Sequence, residues 1–318
     1  MTRERAGVVG LITPWNFPIA ISAWKIATAL RYGNTAVFEP TELVPTSAWE
    51  LSEIIAPSGL PVGVFNPVLG SGRIVGEARG AKAQLEMGGK NPLIVHDDAD
   101  LDVAVSAAVQ GAYFSTGQRC TASSGLIVTE GMFDRVLAQL KTRLPALKVG
   151  HALAIGTEMG PVVSEPQLQQ DIEYIRVERE EGATLSVGGQ RLRLEHEGFY
   201  LQPALFTDTH PAMRTNTQDE IFGPVASVMR ARDYEHALAV ANDVPFGLRS
   251  GVVTRSRHHA ADFRHRSQAG MMMINLPTAG VDDHVPFGGP KGSSYGPREH
   301  GRHAVAFYTN VKTAYVAH

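Results

Sequence analysis

The 318-residue chain predicts an α/β protein built on a doubly wound parallel sheet. Two observations carry that prediction. Short apolar, β-branched runs alternate with longer stretches at helical spacing, the order expected when helices cover a parallel sheet. The third of these runs ends in Gly70-Ser71-Gly72, a turn type that passes a strand tightly into a helix. Hydrophobic residues make up 43% of the chain and charged residues 19%, enough apolar surface to offset the entropy of ordering. At about 150 residues per domain the length allows two domains.

Taken in order, residues 6–13 read as a strand and 18–31 as a helix, with Ile19, Trp24, Ile26, Ala27 and Leu30 at helical spacing and a stop near Gly33. A short strand over 35–39 follows. Pro40 and Pro45 separate it from a helix over 47–56, and 62–68 makes the third strand before the glycine turn. The pattern resumes with strands near 92–95 and 125–129, each followed by a helix, over 101–113 and 133–144. Residues 148–211 are richer in Gly, Pro and charge and read as surface elements and loops. Helices over 234–242 and 256–268 then alternate with strands over 251–254 and 271–275. Residues 307–316 form a terminal strand, an edge that wants a partner, so association between copies is expected.

Twenty-nine Lys and Arg against 32 Asp and Glu give a net charge of −3, which offers nucleic acid or an anionic membrane no broad attraction. A small-molecule partner is expected instead. Arg3 and Arg5 before an apolar run look superficially like a secretory leader, but Pro14, Asn16 and Pro18 break the run. No stretch reaches the ~18 apolar residues of a membrane span. A lone cysteine, Cys120, forms no internal disulfide, and the expectation is a cytoplasmic protein with one thiol to explain.

Four segments carry candidate chemistry. Thr13-Pro14-Trp15-Asn16-Phe17-Pro18 follows a strand end, where two prolines can hold the Asn16 amide outward to donate to an oxyanion; the alternative is a tight turn in which Asn16 bonds its own backbone. In Leu85-Glu86-Met87-Gly88-Gly89-Lys90, two glycines let the backbone bend and present Glu86 to a cavity as a general base, or Glu86 faces solvent at a strand end. Cys120, preceded by Arg119, is a candidate nucleophile if its thiolate is stabilised, and otherwise a small buried hydrophobe. Gly70-Ser71-Gly72 with Gly76 can seat a pyrophosphate at a helix N-terminus, although its spacing departs from GxGxxG by one residue.

Together with GNTAVFEP, DEIFGPV, ANDVPFGL, INLPTAG and PFGGPKGSSYGPREHG, these strings occur in the order of the NAD(P)-dependent aldehyde dehydrogenase superfamily, which the chain resembles over nearly its whole length. The closing HVPFGGPKGSSYGPREHGRHAVAFYT is most similar to the branch acting on α-ketoglutaric semialdehyde (2,5-dioxopentanoate). The resemblance implies an aldehyde substrate, NAD or NADP as cofactor, and a homo-oligomer. Cys120 then attacks the aldehyde to form a thiohemiacetal, Asn16 and the Cys120 N–H stabilise its oxyanion, and hydride leaves to the nicotinamide. Glu86 activates water against the resulting thioester, and Lys25 assists proton movement. Glu220, Phe222 and Gly88 match the nicotinamide side of the site, Glu39, Glu42, Gly70 and Gly72 the adenosine side, and Trp15 the path of the pyrophosphate. Arg119 and Arg298 are candidate partners for a substrate carboxylate, or members of structural ion pairs. No metal is assigned. The implied domains are a partial dinucleotide-binding domain over 1–87, a catalytic domain over 88–305, and an oligomerisation strand over 306–318.

Two departures from the family pattern bear on function. Glu39 stands where a lysine usually holds the adenosine ribose; its carboxylate can accept from ribose hydroxyls but would repel a 2′-phosphate, which argues against NADP. After Gly80 the chain passes directly to Ala81-Lys82-Ala83-Gln84-Leu85-Glu86, so one βα unit, on the order of 30 residues, is missing together with its pyrophosphate contacts. The N-terminal part of the cofactor domain, including a partner for the terminal strand, is also missing relative to the pattern. The expectation is a catalytic half that keeps its shape beside a compromised cofactor half. Two alternatives to the dehydrogenase stay open: a cofactor-free Cys120 esterase and a catalytically silent fragment.

Overall fold

A computed structural model describes residues 1–70 and 82–317. The helix expected after Gly70, and Gly72 with it, lie outside the described residues. The chain forms two compact units, one of residues 1–85, 282–287 and 295–318, the other of residues 86–281 and 288–294. The first break, after Leu85, lies two residues from the expected 87/88, and residues 295–318 fall together in the first unit. Segments 282–287 and 295–305 join the first unit because their contacts run within it: Glu299 exchanges backbone hydrogen bonds with Phe287, and the His300 ring lies 4.1 Å from that of Trp24.

In the first unit, strands Val8–Thr13, Thr35–Pro40 and Phe65–Pro67 form a parallel sheet with Thr35–Pro40 in the middle. Helix Ala20–Arg31 turns Ile26 and Ala29 toward Val9, Leu11, Ala36 and Phe38, the core of this unit. Burial alternates strictly along Val8–Thr13, and Val8 and Ile12 stay exposed on the opposite face. Among the described residues this sheet is thus covered on one face, an incomplete version of the doubly wound layer.

The expected terminal strand is shorter, Thr309–Lys312, and it is not alone. It pairs antiparallel with Thr2–Arg5 of the same chain, Thr2 opposite Lys312 and Arg5 opposite Thr309. The partner expected to be missing lies in the first five residues, whose charged sequence carries no strand signal by itself. Asn34 ties the ribbon's base to the core, its Nδ2 donating to the carbonyls of Ala29 and Tyr308, both at 3.0 Å.

The second unit holds a seven-stranded sheet in the order Met271–Ile274, Arg249–Val253, Asn91–Val95, Ser123–Thr129, Val225–Ala231, Ala204–Thr209 and Thr184–Val187. All pairings are parallel except the last. Alternate residues serve opposite layers: Leu93, Val95, Leu126 and Val128 pack under Leu101–Ala112 and Glu130–Arg143, while Ile94 and Ile127 pack under Tyr234–Asn242 and Arg257–Arg266. Burial on both faces explains why these strands read as continuous apolar runs.

Residues 148–211, expected as surface elements and loops, contribute to the interior. That stretch holds the helix Glu165–Glu180 and two strands of the sheet, of which Ala204–Thr209 is almost wholly buried. The helix escaped notice because two of its four buried positions, Asp171 and Glu178, are acids, so the apolar stripe is interrupted.

Candidate active site

Three loops of the second unit precede three adjacent parallel strands. Glu86–Lys90 leads into Asn91–Val95, Arg119–Ala122 into Ser123–Thr129, and Glu220–Pro224 into Val225–Ala231. Because the strands run the same way, the loops gather at the amino edge of the sheet. Ligand crevices of open α/β sheets usually lie at the other edge.

The cysteine loop is fixed from below by Asn91, whose side chain is fully buried. Its Nδ2 donates to the carbonyls of Cys120 at 2.8 Å and Ala122 at 2.9 Å, and its Oδ1 accepts from the backbone N–H of Arg249 at 2.9 Å. Thr278 adds a hydrogen bond to the Thr121 carbonyl at 2.7 Å. Ahead of the loop, Ser115, Thr116 and Gly117 all adopt left-handed backbone, with φ of 53°, 59° and 67°. A side chain at Gly117 would lie 2.2 Å from the Gly223 carbonyl, so glycine is required where those two loops touch.

The two glycines after Glu86 do more than bend the chain. A Cβ on Gly89 would stand 2.7 Å from the Cys120 carbonyl oxygen, and one on Gly88 would stand 2.1 Å from the Glu220 carboxylate. Their bareness lets the glutamate loop lie against both of the others. The Gly89 N–H then donates to Glu220 Oε1 at 2.9 Å, and Ser294 Oγ donates to Glu86 at 2.7 Å.

The electrostatics follow from burial among carboxylates. Burial pushes the Cys120 thiol up to about 12, the charges of Glu220 and Glu86 push the same way, and Arg249 opposes them. Burial raises Glu220 to about 7, against the Gly89 N–H and the Lys90 charge. Lys90, itself buried, is brought down to about 8 by desolvation and donates to the Thr215 carbonyl at 2.5 Å. Cys120 is therefore a protonated thiol at neutral pH, and attack requires its proton to be taken.

Two further acids give a pH-dependent stability. Burial raises Asp171 and Glu178 to about 7 each, although Gln167 and Ser227 respectively donate to them. Between about pH 4 and 7 the folded chain holds these protons while the unfolded chain has released them, so stability falls as pH rises. Each group contributes up to about 1.4 kcal/mol per pH unit. We expect the urea midpoint to drop between pH 5 and 7.5, and Glu178→Gln with Asp171→Asn to flatten that slope; an unchanged slope in the double variant would refute it.

In the first unit, Trp15 and Asn16 lie half-buried in the loop between Val8–Thr13 and Ala20–Arg31. Lys25, on that helix, forms an ion pair with Glu299, a partner that sequence reading did not name. Glu39 is buried at the end of Thr35–Pro40, neither carboxylate oxygen is hydrogen-bonded among the described residues, and a Cβ on Gly70 would lie 3.7 Å from one of them. Glu42 is exposed. Arg298 is half-buried and pairs with no described carboxylate. Arg119, in the second unit, bonds Ser115 Oγ at 2.7 Å, and its buried Nε has no partner. Phe222 takes a left-handed backbone, φ 63°. Besides Glu299, the site residues that sequence reading missed are Asn91, Thr278, Ser294, Lys90 and Arg249; only the adjacency of Lys90 and Asn91 to the GlyGly pair offered a signal.

A single thiol lying among acids on the loops of an α/β sheet is the outline of a thiol-nucleophile enzyme. The chain belongs to the aldehyde dehydrogenase family, whose model matches residues 1–80 and 77–314. It is 41% identical to the alpha-ketoglutaric semialdehyde dehydrogenase of Bacillus subtilis (strain 168), over 345 positions covering 99% of this chain and 70% of that protein. It is 38% identical to the 2,5-dioxopentanoate dehydrogenase of Saccharolobus solfataricus, covering 98% and 71%. The fold matches the crystal structure of betaine aldehyde dehydrogenase from Staphylococcus aureus in complex with NAD+, with TM-score 0.93, 32% identity, and 97% and 67% of the two chains covered. The family match falls into two segments that overlap at residues 77–80. Among the described residues no helix is long and apolar enough to cross a membrane.

Proposed function

We propose that this chain oxidises a carboxylate-bearing semialdehyde, 2,5-dioxopentanoate or a close analogue, through a thiohemiacetal and a thioester on Cys120. The observation that carries the reading is the convergence of Cys120, Glu86 and Glu220 on three adjoining loops, close enough for both acids to act on the thiol. Glu86, oriented by Ser294, takes the proton of the attacking group, first the thiol and then water. The Cys120 N–H donates to the oxyanion.

Glu39 tests the fit of a dinucleotide. A buried carboxylate without donors is costly, and a ribose diol offers two donors to such a carboxylate. A 2′-phosphate would be repelled there, so the reading is NAD rather than NADP. In the first unit, Glu39 with Gly70 would hold the adenosine ribose, Glu42 would border it, and Trp15 would lie on the path of the pyrophosphate. When bound, the nicotinamide supplies the hydride acceptor.

Arg119 supports the substrate class, since its guanidinium carries no carboxylate partner among the described residues. A bidentate arginine–carboxylate contact contributes about 1.5–3 kcal/mol, or roughly 10- to 100-fold in affinity. Arg119→Met is expected to raise KM for 2,5-dioxopentanoate by that factor while leaving an uncharged aldehyde such as propanal within about threefold. Equal losses for both substrates would remove Arg119 from substrate recognition. Arg298 is the second candidate, and the same comparison decides it.

The break in the family match favours a second reading, a Cys120 esterase that binds no cofactor. Incubation with 2,5-dioxopentanoate or succinic semialdehyde and NAD or NADP, beside an activated-ester assay, separates the two. Appearance of reduced-cofactor absorbance supports the dehydrogenase, ester cleavage alone supports the esterase, and neither leaves a silent chain. A homo-oligomer belongs to the same proposal: Val311, in the terminal ribbon, is 56% exposed, and sedimentation reads the state directly.

A further inference from the structure

We propose that His96, Asp98 and His259 form a binding site for a divalent transition cation of the zinc type, at the sheet edge opposite Cys120. One ligand atom from each of the three side chains lies within 4.8 Å of the others, and all three are half-buried. They come together because two adjacent parallel strands end at the same edge. His96 follows Asn91–Val95, with its N–H bonded to the Val253 carbonyl at 3.1 Å, and His259 sits in the first turn of the helix after Arg249–Val253. In sequence the two histidines are more than 150 residues apart, and neither belongs to a string that carries the family resemblance.

The donors are held in place by their neighbours. Thr254 Oγ donates to Asp98 Oδ1 at 2.7 Å, Asp98 contacts His96 Nδ1 at 2.8 Å, and His259 stacks on Tyr234 at 4.5 Å between ring centroids. Tyr234 is fixed in turn by Asp262, which accepts its hydroxyl at 2.8 Å. One independent observation points to a ligand: His259 Nδ1 is buried and has no hydrogen-bond partner, a state that costs free energy until something fills its lone pair or takes its proton.

The donor set selects the ion. Two imidazoles and one carboxylate suit zinc and its first-row neighbours, whereas magnesium and calcium prefer oxygen throughout. At metal–ligand distances of about 2.0–2.1 Å, ligands of a tetrahedral site lie roughly 3.3 Å apart, so closure of an ångström or so by side-chain rotation suffices. The fourth position is left to water. Asn91 grips the cysteine loop and His96 lies five residues on, about 16 Å at the rise of a strand, so the ion would touch none of the reacting atoms. Its effect is to clamp the loop after one strand to the helix after the next.

The test uses the full chain, stripped with chelator, in a Cys120→Ala background so that the thiol does not compete. Titration with zinc chloride is expected to show one ion per chain at micromolar Kd or tighter, and cobalt(II) is expected to give a visible absorption band of a tetrahedral site. His259→Ala and His96→Ala should each weaken binding at least about tenfold and remove the band, and in the wild-type chain His259→Ala should leave ester and aldehyde turnover unchanged. Binding that is absent, or equally tight in the histidine variants, overturns the proposal. Should a variant fail to fold, zinc protection of His259 in the parent chain against diethyl pyrocarbonate decides the matter, since unprotected modification also overturns it.

Discussion

Cys120→Ala is expected to abolish aldehyde oxidation and activated-ester cleavage together, each by at least about 1000-fold. The chain has one thiol, and it sits at the amino edge of the sheet with the acids. The loop that carries it is held by main-chain contacts from Asn91 and Thr278, so alanine leaves the surroundings standing. Unaltered melting would confirm that the loss is chemical. The environment predicts a second readout. With the thiol near 12, the thiolate is scarce at neutral pH, and alkylation by iodoacetamide should quicken about tenfold per pH unit from 7 to 10 without levelling. In the unfolded chain the same reaction should level near pH 9. Glu220→Gln removes one of the charges that raises the thiol and should speed alkylation of the folded chain. Activity surviving Cys120→Ala would move the chemistry elsewhere.

Gly89→Ala is expected to lower kcat by about 100-fold. The added methyl would meet the Cys120 carbonyl at 2.7 Å and the Asn91 amide at 2.9 and 3.0 Å, and neither yields easily, one being backbone and the other buried and bonded at both ends. Relief comes by moving the cysteine loop away from the glutamate loop. A shift of an ångström between nucleophile and base is enough for that loss. Overpacking should also cost about 1–3 kcal/mol of stability, read as a lowered urea midpoint. Gly88→Ala offers a graded comparison, because the atom it meets is the end of the Glu220 side chain, which can swing, although its φ of +95° strains any side chain there. A Gly89→Ala enzyme with full kcat would mean that the Cys120 carbonyl contact does not set the nucleophile's position.

The strands of the large sheet were legible because their surroundings leave no choice. Leu93, Ile94 and Val95, like Leu126, Ile127 and Val128, are buried on both faces, and an unbroken apolar run is the mark of that burial. Helix Tyr234–Asn242 begins and ends where its spacing placed it, with Asp233 accepting from the His236 N–H at its start. Where burial was achieved by polar residues the pattern failed. Glu165–Glu180 faces the interior with Leu168, Asp171, Ile175 and Glu178, and half of that face reads as surface until Gln167 and Ser227 are seen donating to it.

By itself the sequence determined the α/β class, the family, and the residue types available for chemistry: one thiol, a glutamate before two glycines, and an acid where a lysine is usual. Those are local properties, set by side-chain polarity, backbone freedom and order along the chain. The tertiary structure alone decided which edge of the sheet gathers the cysteine and its acids, that Asn91 grips the cysteine loop, that Lys25 meets Glu299, and that Thr2–Arg5 supplies the partner of Thr309–Lys312. Each of these joins residues far apart in sequence, through hydrogen bonds and charges that act over a few ångströms. Spacing along the chain has no means of recording them; parallel pairing of buried strands brings them together.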